Sequence, residues 1–487
     1  MLVNLRASCR LGAPITVRVG NITTKSTVQK MNASNFDGLR EQVRGQVITS
    51  GDAGYDEART VQNGMIDKRP AAVVRVSQVA DVIASVNFAR DHSLAVAVRG
   101  GGHSGPGYGT ADDALVIDFA GTRGVRVDPA SRTARTEAGA TWADFNHATH
   151  AFGLATTGGI VGSTGVSGLT LGGGIGYLNR KYGLSCDNLL SADVVTAEGK
   201  FLTAREGEND DLFWALRGGG GNFGVVTSLE FQLHPVDMVH AGIIIYPLEH
   251  AETVAKFYRE QLAAAPEEFG AFLAFHQGPP VPFLPEEWHG KPVCIVVGMW
   301  TGDPAEGQAR WQPFLDAAPV AGSMVGPMPY PALNSAFDGM YPKGLLAYWK
   351  AAFLSELNDG IIDVHLDFAR RVPTVQTAVH LYPIDGAVHQ VGAADTAFPN
   401  RSARFSPVIA CHWQDPADTA ANIAWVRDYA AALQPYSETA GYINFMDGDD
   451  QGRVAENYGP NYARLREAKA KYDPQNLFHV NQNIVPA

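Results

Sequence analysis

The sequence predicts an α+β protein in two unlike parts: a mixed half up to about residue 237, and a second unit over 238–445 built on an antiparallel sheet flanked by helices. Two observations separate them. Before residue 237 short strands and helices alternate around three glycine-rich loops. Beyond it glycine clusters thin out, prolines gather in QGPPVPFLPEEW, and strand-like runs such as KPVCIVVGMW, TVQTAVHLY and SPVIACHW alternate with helical stretches.

Each element of the first part has a local cause. PAAVVRV is β-branched and reads as a strand, whereas SQVADVIASVNFARDH sets Val79, Val82, Ile83 and Val86 on one helical face behind a Ser77 cap. LAVAVRG returns as a strand and runs into RGGGHSGPGYG, residues 99–109; ALVIDF and TARTEAG follow as strands. TWADFNHATHAFG is a helix capped by Thr141, with Trp142, Phe145 and Phe152 on a face and Gly153 as terminator. A second glycine loop, GGIVGSTGVSGLTLGGGIGYL, covers 158–178. DVVTAEGKFLTA reads as a hairpin turning at Glu198–Lys200, ENDDLFWAL as a helix, and RGGGGNFG as a third glycine loop feeding the strand VVTSLEFQL. The closing NYGPNYARLREAKAKYDPQNLF is a helix stopped at Asp473-Pro474. Residues 1–36 carry basic residues and no acid, with no apolar core. They read as a disordered leader, a transit-like segment, or an extension ahead of Met31.

A 487-residue chain that is 45% hydrophobic can bury a large core, and a net charge of -12 argues against nucleic acid or an anionic membrane as partner. Small molecules fit better. Cys9, Cys186, Cys294 and Cys411 are far apart, so no disulfide framework or metal site is indicated. No apolar run reaches the roughly 18 to 20 residues of a membrane span, and cytoplasmic residence is the default expectation. The sequence carries no signal of oligomeric state.

Gly100, Gly102 and Gly105, and again Gly219, Gly221 and Gly224, satisfy G-x-G-x-x-G. Context rejects a Rossmann site, because neither third glycine opens a helix; there is no P-loop motif either. What remains is the physical demand of such loops, a large anionic and planar or extended ligand pressed against backbone N–H groups.

R-G-G-G-H-S at 99–104, the glycine run 158–176, Y-G-L-x-x-D-N at 182–188, G-G-N-F-G-V-V-T at 220–227, and the closing Y-D-P-x-N-L-F with N-Q-N-I together resemble the berberine bridge enzyme-like family of FAD-linked oxidases. The resemblance spans roughly 45–487. It implies a two-part FAD-binding domain of the vanillyl-alcohol-oxidase (PCMH) type, 37–237 with the segment 446–487 returning to it, around the inserted substrate domain 238–445. The implied cofactor residues are Arg99, Gly100, Gly101, Gly102, His103, Ser104 and Gly105 in the first loop. The second loop supplies Gly159, Val161, Gly162, Thr164, Gly165, Gly168, Gly172, Gly174 and Gly176. Val226, Tyr442, Asn444, Asn481 and Gln482 complete the set.

In that family the histidine of R-G-G-G-H bonds covalently to the flavin, and His103 stands there. A neutral imidazole is a competent nucleophile, and an ordinary histidine is mostly neutral at pH 7. Doubly linked relatives add a cysteine eleven residues before the triple glycine; that position is Val161, and Cys186 lies after the run. One covalent bond to FAD is expected, and none to Cys186. The implied reaction passes a hydride from an alcohol, sugar, amine or secondary metabolite to flavin N5, then electrons to dioxygen to give hydrogen peroxide. Two alternatives stay open: a flavin dehydrogenase avoiding oxygen, with Thr164 near the position of control, and a non-catalytic flavin-binding protein.

Several relatives use the last tyrosine of Y-x-N-Y as base, but this chain reads Tyr442-Ile443-Asn444-Phe445. Phenylalanine accepts no proton. Tyr442, His389 and Tyr458 are the replacement candidates, with Tyr348 and Lys350 behind them. Trp300, Trp349, Phe398 and Trp413 are candidate pocket aromatics, while His147, His234 and His380 read as histidines that satisfy turns.

Overall fold

A computed structural model of the chain describes residues 33–487. Most of the expected leader, Cys9 and Met31 included, lies outside the described residues. Phe36, placed in the leader by the sequence reading, is fully buried and packs on Phe88 at 5.4 Å, so the core begins before residue 37.

The first layer is a four-stranded sheet in the order Gln46–Ile48, Ala72–Arg75, Leu115–Asp118, Val96–Arg99, the last three parallel. Helix Val79–Asp91 crosses over between two of them and buries Val82, Val86 and Ala89. Its cap differs from expectation. Ser77 does not cap; the buried Asp81 carboxylate reaches back and accepts from Ser77 N–H, the Ser77 hydroxyl, Arg44 N–H and Gly45 N–H. One carboxylate thus ties the chain at Arg44–Gly45 and at Ser77 to the first turn of the helix.

The second layer is a five-stranded antiparallel sheet ordered Val125–Asp128, Thr133–Glu137, Val225–Gln232, Leu189–Val195, Phe201–Arg205. Gly199, at φ 75°, makes the expected hairpin turn. Thr141 and Asp144 form a capping box on helix Trp142–His150, and Gly153 ends it at φ 64°. Phe152 departs from the expected face and is 51% exposed, because the chain has left the helix by then.

From Met238 onward the chain builds a seven-stranded, fully antiparallel sheet. Its order is Gly322–Pro329, Met238–Pro247, Pro292–Trp300, Phe269–Gln277, Ala378–Pro383, Phe405–Trp413, Leu346–Ala351. Helices Ala251–Ala264, Asp359–Ala369 and Thr419–Leu433 cover one face, where Trp300 and Trp413 are core residues. The other face looks toward the glycine loops. Burying both faces leaves the central strands almost continuously apolar, as in Phe405–Trp413.

Buried ion pairs lock the parts together. Arg180 meets Asp385 at 2.7 Å, and Arg401 grips both oxygens of Asp187 at 2.7 and 2.8 Å. Lys469, in helix Tyr462–Tyr472, is wholly buried and donates to Asp473, Asn222 O and Phe478 O, pinning the C-terminal segment onto the third glycine loop.

Candidate active site

Between the glycine loops and the large sheet lies a cavity of about 360 Å³. Its first wall begins where strand Val96–Arg99 ends. The Arg99 side chain turns back into the protein to Asp118, Ala58 O and Thr60 O, so its charge is spent on holding the loop. The following glycines then approach another backbone: a Cβ on Gly101 would lie 2.4 Å from Gly165 N, and one on Gly165 would lie 2.4 Å from Gly101 N. Only glycine on both sides permits this contact.

His103 projects from this double loop into the cavity lining. Its Nε2 pairs with the Ser163 hydroxyl at 3.0 Å and its Nδ1 with Thr164 Oγ1 at 3.4 Å. Burial draws its pKa down to about 4, so the ring is neutral at ordinary pH.

Most of the sequence-predicted cofactor residues converge here. Gly100, Gly101, Gly102, His103, Ser104, Gly105, Gly159, Val161, Thr164, Gly165, Gly168, Val226, Asn444, Asn481 and Gln482 all line the cavity, as does Arg99. Gly162, Gly172, Gly174 and Gly176 do not. Their missing side chains serve packing: a Cβ on Gly172 would strike Asn444 Oδ1 at 2.1 Å, on Gly174 Ser185 Oγ at 2.1 Å, and on Gly176 Gly158 O at 1.6 Å. Gly162 donates its N–H to Asp338, in the part of the chain that builds the large sheet, at 2.6 Å.

Tyr442 is also behind the wall. Its hydroxyl accepts from Gly174 N–H at 2.8 Å and from the Asn444 amide at 2.7 Å, while that amide also donates to Leu169 O. Tyr442 therefore positions the second glycine loop and is 1% exposed. The other candidate bases fall elsewhere. His389 is exposed and donates to Ala403 O, and Tyr458 is buried with its hydroxyl beside Gly220, outside the lining. Tyr348 and Lys350 are both engaged with Asp449 in a polar cluster that includes Arg427. Cys186 is fully buried away from the cavity, and burial pushes its thiol pKa far up. Among the described residues no group of histidine, cysteine or carboxylates is arranged to hold a metal.

Apart from Trp349, the opposite wall was missed by sequence reasoning. Alternate residues of three adjacent strands face the cavity: Ala347 and Trp349, then Val408, Ala410 and His412, then Ala378, His380 and Tyr382. The register places Trp349 opposite Ala410 and Ala410 opposite Ala378, so these side chains share one face. His380, read as a turn histidine, is a wall residue. Trp349 is the one candidate pocket aromatic that lines the cavity; Phe398 is buried beside Tyr442 instead. Tyr341 and Phe445 close the sides, and Asn63 bonds Gly105 O and Ala347 O to hold loop and sheet at a fixed distance. The Asn63-Gly64 pair, a turn signal, marks that bridge in the sequence.

Comparison with known proteins decides the family. A family model described as an FAD binding domain matches residues 70–205, and one described as berberine and berberine like matches 441–485. An FAD-linked oxidoreductase of Dictyostelium discoideum is 30% identical over 452 residues, 92% of this chain and 96% of that one. The chain belongs to the berberine bridge enzyme-like family of FAD-linked oxidoreductases. Within that family it is also 31% identical over 460 residues to the (R)-6-hydroxynicotine oxidase of Paenarthrobacter nicotinovorans, covering 91% of this chain and 97% of that one. The crystal structure of 6-hydroxy-D-nicotine oxidase from Arthrobacter nicotinovorans superposes with a TM-score of 0.80 at 25% identity, over 91% of this chain and 98% of that one. The fold of this FAD-linked oxidoreductase is accordingly the vanillyl-alcohol-oxidase type. No helix among its described residues is long and apolar enough to cross a membrane.

The residues present fit FAD. Both polar atoms of the Gln482 side chain and Asn481 Oδ1 are buried in the groove without a partner, awaiting a polar ligand. Gly168 and Gly221 face open space where a side chain would stand. Arg99, the only formally charged residue in the lining, is already neutralised by Asp118, so a pyrophosphate there would rest on backbone N–H groups.

Proposed function

We propose that this FAD-linked oxidoreductase is an oxidase that holds its flavin through a single bond from His103 and oxidises a small organic substrate in the cavity under the large sheet. Dioxygen would be the final acceptor, giving hydrogen peroxide. The observation that carries the reading is the placing of His103: a neutral nucleophile, steadied by Ser163 and Thr164, at the junction of two glycine loops that leave room for a flat ring. Relatives named as oxidases support the acceptor.

When bound, FAD supplies the hydride acceptor and the route for electrons to oxygen. The chain does the rest. The loops around Gly101 and Gly165 orient one face of the groove, and Tyr442 keeps the second loop in place through Gly174 and Asn444. Asn222, Asn481 and Gln482 close the groove from the C-terminal side. The sheet face with Trp349, His380, Tyr382 and His412 excludes water and frames the substrate. Val161 stands where a second covalent link would come from, and it has no thiol.

The test is denaturing mass and visible absorption of the purified protein and of His103→Ala. One FAD on the wild type, released from the variant, is the expected result. A variant that keeps its adduct, or a wild type with neither flavin mass nor colour, overturns the proposal.

A further inference from the structure

The sheet wall carries three polar side chains in a row. His276 and His380 meet Nε2 to Nε2 at 2.8 Å, and His380 Nδ1 meets the Tyr382 hydroxyl at 2.8 Å. Strand geometry makes the row. His380 and Tyr382 are two apart on strand Ala378–Pro383 and share a face; the neighbouring strand sets Ala274 opposite His380, which leaves His276 on the diagonal. His276, His380 and Tyr382 are 1%, 3% and 6% exposed. Tyr382 and His380 face the cavity, while His276 ends the row in the core with its Nδ1 unpartnered.

Two neutral proton arrangements satisfy both hydrogen bonds. In one, the Tyr382 hydroxyl donates to His380, His380 donates to His276, and the Tyr382 oxygen is left to accept from a ligand. In the other, His276 donates to His380, His380 donates to the Tyr382 oxygen, and the Tyr382 proton is left to donate. The row can meet a hydroxyl or a carbonyl without taking on charge. Burial keeps both imidazoles neutral, drawing His276 down to about 4 and holding His380 well below the ordinary histidine value.

The rest of the wall sets the kind of partner. Phe445 lies 6.0 Å from Tyr382 in a stacked arrangement, and Trp349 meets Phe445 edge-on at 6.2 Å. Among the described residues no unpaired charge faces the space, so a carboxylate or ammonium entering it would lose its water with nothing to replace it. We propose that Tyr382, set by His380 and His276, is the polar anchor of the substrate pocket, and that it selects an uncharged, flat molecule through one hydroxyl or carbonyl. The proposal rests on the reading that flavin fills the glycine-lined part of the groove. Tyr382 touches the substrate; His380 and His276 are positioning residues.

The test is calorimetric titration of the purified holoenzyme with p-cresol, toluene and p-toluate, for wild type, Tyr382→Phe and His276→Gln. The wild type is expected to hold p-cresol about five- to tenfold more tightly than toluene, as one neutral hydrogen bond allows, with p-toluate weakest. In Tyr382→Phe that preference falls to about one with toluene affinity unchanged. In His276→Gln it shrinks, again without loss of toluene binding, whereas a merely structural role would weaken both probes. Equal binding of p-cresol and toluene by the wild type, a preference that survives Tyr382→Phe, or tightest binding of p-toluate overturns the anchor. Absorption recorded on the same samples shows whether flavin is present, so a colourless protein counts against the function reading and leaves the titration to judge the anchor.

Discussion

The contact between Gly101 and Gly165 can be broken by a single methyl group. An added Cβ on Gly101 meets Gly165 N at 2.4 Å and Gly165 Cα at 2.7 Å, where ordinary contact starts near 3.4 Å. Both obstacles are backbone, so no side chain can swing aside and the loops must part by about 1 Å. Overpacking of this kind costs about 1–3 kcal/mol. The same movement stretches the bonds from His103 to Ser163 and Thr164, now 3.0 and 3.4 Å, and each lost bond removes roughly 1 kcal/mol. With both bonds lost, Gly101→Ala and Gly165→Ala should each destabilise the apoprotein by about 3–5 kcal/mol in urea unfolding and leave little bound flavin. Because both methyl groups wedge one gap, the double variant should lose far less than twice the single loss. Full flavin content in either single variant, with stability within about 0.5 kcal/mol of wild type, would refute the idea that backbone contact sets this site.

Lys469→Met leaves Asp473 without its cation and removes the donor to Asn222 O and Phe478 O; breaking a buried pair this way should cost about 3–5 kcal/mol, read by urea unfolding. The pH dependence of flavin loading tests His103. Its folded pKa, about 4, lies below the ordinary 6.5, so the neutral imidazole persists down to that value. Loading of apoprotein with FAD should stay level from pH 8 to 5.5, where an ordinary histidine would lose about tenfold. The same depression means that the unfolded chain binds more protons between pH 4 and 6.5, so apoprotein stability should fall as pH drops through that window; a Tm that rises there contradicts it.

Why the glycine wall was legible and the sheet wall was not follows from physics. Glycine clusters report a local backbone requirement, and Gly102 and Gly107 take positive φ as their sequence suggests. The same signal cannot say what comes close. Gly168 and Gly221 open on the cavity, whereas Gly172, Gly174 and Gly176 accommodate the chain's own atoms. The strands bearing His380, Tyr382 and His412 are buried on both faces, so their hydrophobicity does not alternate and nothing local tells which face meets the cofactor groove. The sequence offers His389 and Tyr458 as replacement bases and reads His380 as a turn histidine; only the fold sends the first to the surface, the second behind a loop and the third to the wall.

The two strips of the cofactor groove lie far apart in chain order. Gly100–Gly105 and Gly159–Gly168 are made early, Asn444 and Asn481–Gln482 last, and the whole seven-stranded sheet is synthesised in between. An emerging polypeptide therefore carries only part of the groove's lining, with nothing yet to close over a guest. A groove completed by Asn444 and Asn481–Gln482 can close over a ligand only once the last segment has docked.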